Sequence, residues 1–170
     1  MKSPVTGFAV YKPTKSLKGS VIQFNPMSDY SCVFLEIAPQ NGDNTFDFET
    51  KIVMKMGQTD ILQILDILEL VRTAQYKELL RRAPEELDQW MASLAVKDNS
   101  LVNLFHMDKK KNSSSVLNIK PNSSKYGGGF LLHVSKKTED AKPLSYQIGI
   151  NPSEALGIIY CLEKCLFNRV

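Results

Sequence analysis

With 170 residues, 43% of them hydrophobic, the chain can bury one good core or two small ones that share a sheet interface, which favours a single globular domain. Its formal net charge of +3 is mild, and no apolar run approaches the length that spans a bilayer, so no membrane partner is expected. Three cysteines, two of them four apart at Cys161 and Cys165 on an expected helix, suit buried reduced thiols; with no apolar signal core at the N-terminus, the expected location is cytoplasmic or nucleoid, or organellar if a transit peptide has been removed.

Residues 1–19 read as a basic arm, with Lys2, Lys12, Lys15 and Lys18 set among Pro4, Gly7, Pro13 and Gly19, and with a short strand at 8–11. These lysines are either a solvated loop or a phosphate-facing rim. A first unit follows over 20–72. Its strands are expected at 20–25, 31–37 and 46–56, broken by Pro26, Pro39 and the turn-forming run 41–44. Alternation turns Ile22 and Phe24 to a core and Val21, Gln23 and Asn25 away from it. In 46–56 the even positions Phe46, Phe48, Thr50, Ile52, Met54 and Met56 form the expected core face, and Lys51 and Lys55 project outward together. Near the strand end, Phe46 or Phe48 can instead stack on a base. From Ile61 the period becomes helical, and only Gln63, Asp66 and Glu69 interrupt an apolar surface, which predicts a deeply buried helix.

The stretch 73–98 is an inserted helical hairpin. Tyr76, Leu79, Leu80, Leu87, Trp90, Met91 and Leu94 recur at helical spacing, Pro84 opens the second helix, and Trp90 reads as packing. A second unit over 99–170 then repeats the first at a nearly constant separation: 22–26 is echoed by 117–121, 33–37 by 130–134, and 57–62 by 151–156. Its expected parts are a strand at 101–107, a flexible basic hairpin around Lys109, Lys110 and Lys111, a strand at 116–120, a mobile glycine turn at 122–129 and a strand from Phe130 that turns Leu131, His133 and Ser135 away from the core. A charged tip at 136–142 and a strand at 146–150 complete it. Asn151, Pro152 and Glu154 mark the start of a final helix that is apolar almost all round, a surface suited to packing against another subunit. The residues thus describe an α+β domain built by duplication of a strands-then-helix unit.

Chemistry is sparse. Only His106 and His133 can act as neutral-pH bases, on different strands and with no nucleophile motif nearby, and Cys161 and Cys165 with a distant histidine would be an unusual metal set. No catalytic residue, metal or cofactor is expected. Sheets with polar residues on one face, lysine-rich hairpins and scattered aromatics suit sequence-tolerant binding of a single strand, with lysines on phosphates and rings on unpaired bases. A protein-interaction module whose sheets simply assemble is the alternative from another class.

Lys18-Gly19 entering the first strand, Phe46-Asp47-Phe48-Glu49 before the first helix, Leu104-Phe105-His106 before the basic hairpin, and Leu117-Asn118-Ile119-Lys120-Pro121 followed by Gly129-Phe130-Leu131-Leu132 together resemble the Whirly family of single-stranded DNA-binding proteins. The plan is similar, more distantly, to the PC4-like transcriptional coactivators, the kinetoplastid guide-RNA-binding proteins and the Pur domain. The resemblance implies a duplicated ββββα unit, two antiparallel four-stranded sheets with packed helices, assembly into a tetramer through the helices, and single-stranded DNA along the sheets with little sequence preference, RNA being the alternative ligand. It implies contacts at Lys18, Gln23, Phe48, Lys51, Asn118, Lys120 and His133, to which the residue pattern adds Lys12, Lys15 and Lys55. The chain departs from the family where Ser20 replaces the second lysine of a Lys-Gly-Lys signature and Phe48 replaces a tryptophan.

Overall fold

A computed structural model of the protein describes residues 7–167, so Lys2 and Pro4 of the basic arm lie outside the described residues. Alternating apolar residues build the first sheet from β1 (Phe8–Lys12), β2 (Ser20–Pro26), β3 (Val33–Gly42), β4 (Thr45–Phe46) and β5 (Ile52–Met56), all antiparallel. Two rows run straight across it, Val10–Ile22–Ile37–Ile52 and Phe8–Phe24–Leu35–Met54. They form its core-facing side. The part of the arm from Phe8 is therefore a full strand of the sheet, because Phe8 and Val10 continue those rows. Phe8 is held from above as well: Gly157 of the last helix approaches so closely that a Cβ there would collide with the Phe8 ring.

The expected strand 46–56 is broken. Asp47 accepts a hydrogen bond from the Glu49 backbone N–H at 3.0 Å and another from the Thr50 hydroxyl at 3.0 Å, closing a 3₁₀ turn over Phe48–Thr50 between β4 and β5. Both flanking strands still pair with β3, but the turn shifts the alternation. Ile52, Met54 and Met56 enter the core while Phe48 and Thr50 stay exposed, and Phe46 is only half-buried.

Helix α1 (Gln58–Leu68) starts where Asp60 accepts from the Gly57 N–H at 3.0 Å. Its burial is one-sided: Ile61, Ile64, Leu65 and Leu68 are buried, whereas Leu62 is exposed. The inserted hairpin is α2 (Ala74–Arg82) and α3 (Pro84–Ser93), with Thr73 capping α2 and Pro84 in the first turn of α3. The second sheet, β6 (Val102–Asp108), β7 (Ser113–Pro121), β8 (Phe130–Thr138) and β9 (Ala141–Ile150), is an antiparallel meander. Its core row Val102–Ile119–Leu132–Ile148 matches the Phe8–Phe24–Leu35–Met54 row of the first sheet. Helix α4 (Pro152–Phe167) opens with a reciprocal capping box, Asn151 N–H to Glu154 Oε1 at 2.9 Å and Glu154 N–H to Asn151 Oδ1 at 2.8 Å.

Among the described residues, one continuous core draws on both sheets and on α1, α2, α3 and α4. The sheets also meet directly, through the Ser20 hydroxyl donating to the Gln147 carbonyl at 2.8 Å and the Tyr146 hydroxyl donating to the Thr50 carbonyl at 2.7 Å. The glycine turn expected to be mobile is clasped by the insertion. Gly127, Gly128 and Gly129 all have positive φ, the Gly129 N–H donates to the buried Tyr76 hydroxyl at 2.8 Å, and Asp88 accepts from the Ser124 N–H at 2.8 Å and hydroxyl at 2.7 Å.

Candidate nucleic-acid interface

On β5 the core residues Ile52, Met54 and Met56 alternate with Val53 and Lys55, which face outward, and Lys51 precedes the strand at the end of the 3₁₀ turn. The β6–β7 hairpin, with Lys109, Lys110 and Lys111 at its tip, faces this strand across a groove of about 860 Å³. The tip has a fixed backbone. Asp108 Oδ1 accepts from the N–H groups of Lys110 at 3.1 Å and Lys111 at 3.3 Å, Asn112 takes a left-handed φ of 45°, and its amide donates to Glu139 at 2.8 Å.

Six lysines line the groove, Lys51, Lys55, Lys109, Lys110, Lys111 and Lys136, against two carboxylates, Glu49 and Asp108. Lys51 also lies 3.1 Å from Glu36, a partly exposed pair of small net energy that leaves the groove strongly positive. Phe34 and Phe48 add aromatic surface, Phe48 being 42% exposed. At one side His106 sits 3.1 Å from Asp60, tying the wall of the groove to the start of α1.

The sheet faces turned away from the core differ in chemistry. On the first, Gln23 lies in the row Ala9–Gln23–Glu36–Val53, and the rings of Tyr11 and Phe46 meet at 5.8 Å between centroids with a tilt of 52°. Val21 and Ala38 share this side and are buried, so Val21 points away from the core without being exposed. On the second, Asn103, Asn118, His133 and Gln147 stand in one polar row across all four strands, with His133 Nε2 2.6 Å from the Ser145 hydroxyl. Phe105 is 58% exposed on the same side, and Lys120 pairs in register with Leu131.

Of the ten residues singled out in the sequence, Phe48, Lys51 and Lys55 meet in the groove. Gln23 is on the outer side of the first sheet, and Asn118, Lys120 and His133 are on that of the second. Lys15 and Lys18 occupy the exposed β1–β2 connection, whose path is set by the buried Gln40 side chain: its oxygen accepts from Thr14 N–H at 2.8 Å and Gly19 N–H at 2.9 Å, and its nitrogen donates to the carbonyls of Thr14 at 3.1 Å and Gly42 at 3.0 Å. Lys12 joins none of these groups. Its ammonium lies 2.7 Å from Glu154 at the start of α4. The lysines at 109–111 and 136, absent from the ten, form the wall opposite β5; the sequence signal was the lysine run itself. Tyr11, 57% exposed, was legible as the odd-numbered neighbour of Val10.

Among the described residues, the groups with displaced pKa, Tyr76 and Cys161, belong to the scaffold. Burial raises the Tyr76 hydroxyl, and burial, with Cys165 beside it, pushes the Cys161 thiol up to about 11.

No protein-family model and no curated protein matches the chain in sequence. Solved structures match it in fold. The plant transcriptional regulator PBF-2 superimposes with a TM-score of 0.61 at 17% identity, over 96% of this chain and 81% of that one. WHY1 from Arabidopsis thaliana gives 0.60 at 17%, over 95% and 82%. A guide-RNA-binding protein complex bound to a gRNA gives 0.55 at 12%, over 94% and 88%. The first two are Whirly proteins, and the chain has the Whirly-like fold that its motif order implied.

Proposed function

We propose, on the premise of this Whirly-like fold, that the protein is a non-enzymatic binder of single-stranded DNA with little sequence preference, acting in replication, repair, recombination or transcription. The observation that carries the proposal is the groove between β5 and the β6–β7 hairpin, where six lysines and two phenylalanines face one channel. Lysines at this density attract a phosphate backbone of any sequence, and rings accept any unpaired base by stacking, worth about 1–3 kcal/mol per base. A duplex hides its bases and gains only the first of these terms. Single strands are therefore preferred.

Fluorescence anisotropy with labelled strands at about 50 and about 200 mM salt tests this. Single strands should bind more tightly than the matched duplex, with affinity falling steeply as salt rises; equal affinity for both, or no salt response, would reject the proposal. The fold shared with a guide-RNA-binding complex supports RNA as a second ligand. Competition between matched DNA and RNA strands separates the two, because only contacts to the 2′-OH distinguish them. Exposed Tyr160 and Phe167 on α4 and Leu62 on α1 support assembly through the helices, the tetramer being the form proposed. Light scattering on the full chain gives the mass directly.

A further inference from the structure

We infer that the concavity at the far end of the second sheet, on its outer side, is a pocket for one unpaired nucleobase of the bound strand. The inference rests on the nucleic-acid reading above and adds a site to it. Met107, Ser114 and Lys137 stand in register across β6, β7 and β8. Next to Lys137 the β8–β9 pairing shifts, between Lys136 and Thr138, and Pro143 of β9 falls in the irregularity. A bulge bends and over-twists the strands beside it, and proline, lacking an N–H, is tolerated on an edge strand at such a place. The end of the sheet borders an open concavity of about 720 Å³, within the usual span of small-molecule sites.

Its chemistry selects the occupant. Met107 is 62% exposed although large and apolar, and with Pro143 it presents a surface whose thioether favours a flat aromatic ring. Lys109 and Lys137 are the cations at this site, suited to phosphates on either side of an inserted base. Glu139 and Asn112, hydrogen-bonded to each other at 2.8 Å, offer acceptors and donors to a base edge. Position makes the same selection. Met107, Asp108, Lys109 and Ser113 line both this concavity and the basic groove, so a strand lying along the lysine hairpin reaches one from the other.

The test is equilibrium binding of the full chain to an oligothymidine and to an abasic strand of equal length, which keeps the phosphates and lacks the bases. Met107→Ala should weaken oligothymidine binding about fivefold and leave the abasic strand unchanged, while Met107→Leu should restore most of the loss. Lys137→Ala should weaken both strands alike. Loss of both strands in Met107→Ala, or of neither, overturns the pocket and leaves the nucleic-acid reading standing. Failure of the unsubstituted protein to bind either strand removes that reading, and the pocket with it.

Discussion

The two units follow the same course of strands and helix, yet they use their connections for different ends. Both sheets are meanders in matching order, and both helices start with a carboxylate that reaches back to the N-cap, Asp60 to Gly57 and Glu154 to Asn151. In the first unit the β1–β2 connection is folded back and tied to Gln40, and its Lys12 end is neutralised by Glu154. In the second, the equivalent β6–β7 connection is a tight hairpin carrying three lysines toward the groove. The next connection differs too, for only the β7–β8 turn is clasped by the inserted helices. A duplicated framework thus keeps the strands and caps that hold the core and diverges in the turns that connect them.

The difference between the turns is tested first at the clasp. Gly129→Ala forces a side chain onto a φ of 85° and a Cβ into the Ile150 carbonyl, so urea denaturation should show a loss of about 3 kcal/mol. Next come the hairpins. Alanine at Lys109, Lys110 and Lys111 together should weaken single-strand binding about a hundredfold at low salt and reduce the salt slope by about 2, whereas the same change at Lys12, Lys15 and Lys18 should cost under about tenfold. Equal losses from the two triplets, measured by anisotropy, would erase the proposed division between the units.

Two smaller effects are expected. The second unit's helix places Cys161 under the first sheet, its thiol 3.5 Å from the Phe24 carbonyl, and burial raises its pKa from 9.0 to about 11. The unfolded chain then loses this proton first. Stability should hold below pH 9, fall by up to about 1.4 kcal/mol per pH unit as pH rises toward about 11, and stop falling on this group's account above that. Tyr76, raised by burial, adds a loss of the same sign above pH 10. Denaturation of Cys161→Ala across this range should show a shallower slope. Smallest of all, His133→Ala should change single-strand affinity by less than about threefold, since the residue stands in a row with Asn103, Asn118 and Gln147 away from the lysine groove and already bonds Ser145.

Local physics made much of the fold legible. Periods of two and of near four along the chain marked strands and helices, and Asn151 with Glu154 marked a helix start, because those signals act between neighbours a turn apart. The repeat of 22–26, 33–37 and 57–62 in the second half pointed to the right equivalent elements, since each copy must bury the same face of the same sheet. The stretch 46–56 defeated the alternation for an equally local reason, Asp47 bonding Glu49 and Thr50 in place of a straight strand, which the sequence offered and periodicity outweighed. Other features were not local. Val21 is buried on the far side of its sheet, Lys12 is held by Glu154, and Lys51 and Lys55 face the 109–111 hairpin across one groove. The alternation of 20–25 and 130–134 and the caps at Gly57 and Asn151 are already written in the chain, because a backbone settles strands and helix starts by short-range hydrogen bonds and side-chain spacing. Which charges share a groove is a matter of folding in three dimensions, because it depends on how two sheets, distant along the chain, close on a common core.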